Sequence, residues 1–179
     1  MKTVSQQLEG IPVKTINIGS GTSAIFKTVH NIKKIIMNAA FQPYVRRWAE
    51  NIVYSIPQGD KFGEARAIYD FVVESIRYTK DPKGLEFIQT PDLLLRFIEA
   101  DDIATGDCDD ITTLGMALLK SIGFDVAVKI TSYSHKRQFQ HVYGLVYVNG
   151  EWLAFDAIRP DKFLGWEAPG ITRSKIYKI

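Results

Sequence analysis

Residues 141–156, HVYGLVYVNGEWLAFD, decide how this chain is read. Asn149-Gly150 is a strong two-residue hairpin signal, because both residues tolerate the positive φ that a tight turn between twisted strands requires. The flanks, His141 to Val148 and Glu151 to Phe155, read as the two strands. A two-residue turn pairs Val148 with Glu151, and counting back pairs Tyr143 with Asp156. His141 and Asp156 are then diagonal neighbours on one face, ~7–8 Å apart at Cα, with side chains able to meet. A three-residue loop would send Asp156 to the opposite face.

Upstream of the hairpin, Asp125 to Thr131 alternates like a third strand, and Ser132 to Phe139 is a polar loop. Ile111, Leu114, Gly115, Leu118 and Ile122 mark an amphipathic helix stopped by Gly123. The first half is helical in period. One helix runs from Thr22 or Ser23 to about Ala40, with Ile25, Val29, Ile32 and Ile36 on one face. Pro43 suits the first turn of a second, through Trp48 to about Tyr54. A third carries Phe62, Ala65, Tyr69, Val72, Val73 and Ile76, and Pro91 starts a short one through Leu95 and Ile98. Helices followed by one helix on an antiparallel sheet make an α+β domain. Residues 1–21, with a strand-like Val13 to Ile18, are expected to be a lead-in. Residues 22–60 read as a helical extension, and 61–179 as the main domain.

Composition sets the outer bounds. The 179 residues carry a net charge of +2, with 46% hydrophobic and 12% aromatic residues. That length predicts one domain, and the apolar content suffices for one packed core. Balanced charge excludes disorder as the main state and supplies no nucleic-acid signal. No apolar run approaches the ~18 residues of a membrane span, and the N-terminus lacks the apolar run of a signal peptide. A cytoplasmic location is expected. The single cysteine, Cys108, rules out an intramolecular disulfide and a thiolate zinc cluster.

That cysteine carries the chemistry. It stands in Gly106-Asp107-Cys108-Asp109-Asp110, where the amphipathic helix begins. A helix N-terminus favours the thiolate, because its free N–H groups and dipole stabilise negative charge. The three flanking aspartates oppose the thiolate but make a nearby imidazolium easier to hold. A neutral imidazole within reach takes the thiol proton, and a third group must orient the ring. Cys108 as nucleophile, His141 as general base then acid, and Asp156 as orienter form a Cys-His-Asp set. The Cys108 N–H is one candidate oxyanion donor. Gln89 is the candidate for the second, with Trp48 and Tyr78 behind it.

These residues carry a resemblance. Gly106 to Asp110, the Leu114 to Gly123 helix, His141-Val142, and Gly150-Glu151-Trp152 leading to Asp156 resemble the transglutaminase-like superfamily over roughly residues 62–158. The resemblance implies a papain-like core and an acyl-transfer chemistry through a cysteine thioester, with residues 61–179 as the catalytic domain. Pro43-Tyr44-Val45-Arg46, Tyr78 with Asp81-Pro82, and Thr90-Pro91 are also similar to transglutaminase-like proteins of phages and prophages, which implies a possible virion association. Ala157 departs from the pattern, since the family carries a proline after its aspartate.

Three function classes follow from the resemblance. A cysteine peptidase or amidase is favoured over a protein-glutamine transglutaminase, and a non-catalytic phage structural or binding protein is the third. The expected partner is a peptide or protein amide substrate, with no nucleic acid, no membrane and no cofactor. No metal centre is expected: Asp101, Asp102, Asp107, Asp109 and Asp110 sit side by side at a helix start and should point different ways. Asp110 is expected instead to hold a neighbouring backbone or base group. Lys136-Arg137 reads as a solvated loop, and His30 and His135 as surface or structural residues.

Overall fold

The computed structural model describes residues 22–81, 87–133 and 139–179, with side chains from residue 25 onward. The expected lead-in, Pro82, His135 and Lys136-Arg137 lie outside the described residues. Helices α1 (Thr22–Ala40), α2 (Pro43–Val53) and α3 (Lys61–Ser75) come first. Then follow β1 (Ile76–Tyr78), α4 (Pro91–Asp101), β2 (Ala104–Gly106) and α5 (Cys108–Ser121). Strands β3 (Val126–Ser132), β4 (His141–Val148), β5 (Glu151–Phe155) and β6 (Arg173–Lys178) complete the chain. The architecture is the α+β arrangement expected. No described helix is long and apolar enough to cross a membrane.

The hairpin has the register its turn dictates. Val148 pairs with Glu151 and Gly144 with Phe155, and Asn149 and Gly150 take φ of 51° and 98°. The antiparallel sheet has the order β5-β4-β3-β6. β6 was not foreseen. Its sequence, Arg-Ser-Lys-Ile-Tyr-Lys, is almost wholly exposed, so no apolar alternation announces it. β1 and β2 form a separate parallel pair of three residues each, in which Tyr78 faces Gly106. Ile76 therefore begins a strand and does not extend α3.

Helix α5 departs from the amphipathic expectation. Asp109 through Leu119 are all buried, as befits a helix covered on every side. The sheet covers one flank through Val128, Val142, Val146 and Phe155. Ile32, Ile36, Val45, Ala49, Ile68 and Leu95 of the other four helices cover the rest, all in one core. Helices α1 and α2 thus share the core of α5. The two threonines inside α5 are satisfied locally, Thr112 Oγ1 donating to Cys108 O at 2.6 Å and Thr113 Oγ1 to Asp109 O at 2.5 Å.

Two glycines let α5 lie close to the sheet. A Cβ on Gly115 would meet the Phe155 ring, and a Cβ on Gly144 would meet the Met116 thioether. This close approach brings the first turn of α5 to the end of β4, where Thr112 Oγ1 also reaches Val142 O at 3.3 Å.

Candidate active site

Three chain segments converge at that end of the sheet. Cys108 is the first residue of α5 and is partly buried. His141 is the first residue of β4, cross-strand from Thr131. Asp156 follows the last residue of β5 and is 2% exposed. The His141 Nε2 lies 3.0 Å from both Asp156 carboxylate oxygens. The diagonal pairing read from the hairpin is therefore present. Tyr69 supports Asp156 from below: its hydroxyl donates to Asp156 O at 3.3 Å, and its ring packs edge-on against Phe155 at 5.1 Å.

The parity of the hairpin also settles which face these two side chains occupy. Val142, Val146 and Phe155 pack into the core with α5, whereas Tyr143, Leu145 and Ala154 cluster on the other face. His141 and Asp156 share parity with the second set. The thiol meets this face at the margin of the sheet, where the Val142 backbone N–H reaches it. Nε2 is engaged by Asp156, so Nδ1 is the ring nitrogen open to a further partner.

The electrostatics of the thiol differ from the simple helix-terminus expectation. Burial pushes the Cys108 thiol up, and the charges of Asp107 and Asp109 push it further. The N–H groups of Val142 and Cys108 act in the opposite direction and do not prevail. Desolvation outweighs the helix dipole here because the α5 terminus is inside the fold.

The acidic residues are organised by capping. Asp107 Oδ1 accepts from Asp109 N at 3.1 Å, and Asp110 Oδ2 accepts from Asp107 N at 3.2 Å, a reciprocal capping box. This curl overturns the expectation that the acids diverge. Asp107, Asp109 and Asp110 bring oxygens within 4.8 Å of one another. Asp110 is nevertheless committed to N–H donors, and three carboxylate oxygens fall short of the six to eight that a calcium ion takes.

Gln89 is corrected as an oxyanion donor. Its backbone N–H donates to Asp110 Oδ1 at 2.7 Å, and its Nε2 donates to Asp110 Oδ2 at 2.9 Å and Thr105 O at 2.8 Å. Both amide hydrogens are spent on pinning the stretch before α4 to the start of α5. Asp110 does hold a backbone group, as expected, and burial raises its carboxyl to about 7 even with these donors. Trp48 also moves out of the site. Its ring packs at a tilt against Phe71, with centroids 5.7 Å apart, and lines an open cavity of about 470 Å³ with Tyr44, Arg47, Asn51, Ile52 and Glu99. Neither Cys108, His141 nor Asp156 lines that cavity.

Tyr78 remains beside the thiol. It faces Gly106, two residues before Cys108, and Thr79 N donates to Gly106 O at 2.9 Å. Its hydroxyl is raised by burial first and then by the charges of Cys108, Asp107, Asp109 and Asp156. It feels both the thiol and Asp156.

The model of the transglutaminase-like superfamily matches residues 46–157. The chain belongs to this superfamily. The match spans Cys108, His141 and Asp156 and begins inside α2. The fold is similar to that of Legionella pneumophila LapG in its calcium-bound form, with TM-score 0.53, 17% identity, and coverage of 84% of this chain and 87% of LapG. The EGTA-treated LapG gives 0.51 at 20% identity, covering 78% and 77%. A candidate cysteine protease of Cytophaga hutchinsonii gives 0.49 at 18% identity. This chain spans half the length of that protein, with 79% of its own residues aligned. No curated protein sequence matches the chain.

Proposed function

We propose that this member of the superfamily is a cysteine peptidase or amidase acting on a peptide or protein amide, with Cys108 as nucleophile, His141 as general base and acid, and Asp156 as orienter. The observation that carries the reading is the symmetric contact of His141 Nε2 with both Asp156 oxygens at 3.0 Å, beside a helix-start thiol. Asp156 fixes the tautomer with hydrogen on Nε2, so that Nδ1 accepts the thiol proton. The thiolate then attacks the amide carbon and forms a C–S bond. Collapse of the oxyanion breaks the C–N bond, and His141 returns its proton to the departing amine. Water then gives a proton to His141 and its oxygen to the acyl carbon, and the C–S bond breaks.

The Cys108 N–H and the Tyr78 hydroxyl are the donors we assign to the oxyanion. A phenol raised in pKa stays protonated at neutral pH and so remains a donor. Membership of the transglutaminase-like superfamily supports an amide substrate.

The test is alkylation of Cys108 by iodoacetamide at neutral pH, followed by intact mass after incubation with a peptide library. His141→Ala should slow alkylation by about 10²-fold or more. Equal rates before and after that change sink the activated-thiol reading. Peptides that gain water mark a hydrolase. Covalent peptide cross-links mark a transglutaminase, and an unreactive thiol marks a binding protein.

A further inference from the structure

The sheet face that holds His141 carries a set of contacts that the reaction above does not use. His141 and Tyr143 are alternate residues of β4, and their rings stack with centroids 5.3 Å apart and planes at 30°. Offset aromatic stacking is favourable at this range, and a ring face attracts a cation within about 6 Å. Tyr143 is 1% exposed. Its hydroxyl donates to Glu167 Oε1 at 2.5 Å. Lys129, its direct cross-strand partner, reaches the same oxygen at 2.6 Å and lies 5.7 Å from the ring centroid. Glu167 belongs to the segment after β5, which is tied to that strand by Gly165 N donating to Ala154 O at 2.8 Å. The ring beneath His141 is thus held by burial, by a strand neighbour and by a returning segment.

We propose that Tyr143, anchored by Glu167 and Lys129, is a positioning residue for His141: its ring sets the plane of the imidazole and its π face favours the imidazolium. This rests on the reading of His141 as the general base. The arrangement suits a ring that must carry positive charge during the reaction and keep one nitrogen on Asp156. The groups in contact with His141 are Asp156 after β5, Tyr133 after β3 at 6.5 Å between ring centroids, and Tyr143 on β4, while Cys108 of α5 meets the backbone of the next residue, Val142. Glu167 and Lys129 act through Tyr143. Burial and Glu167 keep the Tyr143 phenol protonated, so it meets His141 as a neutral ring.

The experiment is an NMR titration of the His141 ring in the full chain carrying Cys108→Ala, with the signal assigned by His141→Asn among the three histidines. Tyr143→Leu should lower the midpoint by about 0.5–1 unit, and Tyr143→Phe should leave it in place because the ring stays. A midpoint that is unchanged in Tyr143→Leu, or that falls equally in both variants, overturns the proposal. The anchor is tested at a residue on the surface. Glu167→Gln should slow alkylation of native Cys108 by roughly two- to five-fold, with no further loss when combined with Tyr143→Phe. An unchanged rate or two fully additive losses overturn it, even if the leucine variant does not fold. Failure of the general-base reading would register separately, as alkylation indifferent to His141→Ala with the His141 titration still sensitive to Tyr143.

Discussion

Replacing Gly115 by Ala should damage the site more than the fold. The added Cβ would sit 2.8 Å from Phe155 Cζ and 3.2 Å from Cδ1, with Cε1 closer still. Carbon atoms at rest lie ~3.5–4.0 Å apart, so α5 and β5 must separate by about 1 Å locally. Phe155 is 0% exposed and packed against Tyr69, so the ring has no room to yield. Overpacking of this kind costs about 1–3 kcal/mol, and the gain in helix propensity from Gly to Ala returns about 1. The net loss of roughly 0–2 kcal/mol should lower the Tm by no more than about 8 °C. Function is more sensitive. Phe155 is the residue before Asp156, and Cys108 starts the helix that moves, so the displacement falls between the proposed nucleophile and the proposed orienter. A misplacement of about 1 Å costs on the order of 10²-fold. The assay is the pseudo-first-order rate of Cys108 alkylation beside thermal unfolding, and Phe155→Leu in the Gly115→Ala background should recover part of the rate. A Gly115→Ala protein with native alkylation would refute the argument, as would a slow one that Phe155→Leu leaves unchanged.

Three further outcomes are expected. Asp156→Asn should slow alkylation and turnover by about 10²- to 10⁴-fold, because a neutral amide stabilises the imidazolium less than a carboxylate and allows the wrong tautomer; a loss under threefold would count against the orienting role. Tyr78→Phe should lower kcat by about 10²-fold with little change in KM, since an oxyanion donor acts in the transition state, and a change confined to KM would reassign Tyr78 to substrate binding. Asp110, raised to about 7 from an ordinary 3.8, binds its proton more tightly in the folded state. Its contribution to stability is full below pH 3.8 and is lost as pH rises through 7, up to about 4 kcal/mol. Urea unfolding from pH 4 to 8 should show this slope in the native chain and not in Asp110→Asn, and parallel curves would discount it.

The hairpin was legible because its information is local. Two turn residues and a period of two determine which residues meet, and the pairing of His141 with Asp156 follows from counting. The start of α5 was legible for the same reason, through the helical period that sets in after Cys108, although the capping box of Asp107 and Asp110 is seen only in the structure. The features that escaped depend on distant parts of the chain. β6 is recruited by hydrogen bonds to β3 from a polar sequence, and β1 and β2 are three residues long. The full burial of α5 depends on α1 and α2 folding back over it. Gln89 was misassigned because its amide is consumed by Asp110, 21 residues away, a contact with no periodic signature. Tyr143 did carry a signal: it shares parity with His141 on the same strand, which places its ring under the imidazole.

The charges around the thiol have one consistent physical meaning. Asp107 and Asp109 raise the energy of an isolated thiolate, and burial raises it further. On the proposed reaction, the Asp156 carboxylate in contact with the ring at 3.0 Å stabilises the imidazolium that forms. Moving the proton from Cys108 to His141 creates both charges at once, so these effects oppose each other within a net-neutral pair. On the proposed reading, the thiolate is then available only when His141 is present, charged and held in place. Such a site makes a thiol that is inert on its own and nucleophilic as half of a pair, so the alkylation rate should depend as steeply on His141, and on the Tyr143 ring beneath it, as on the cysteine itself.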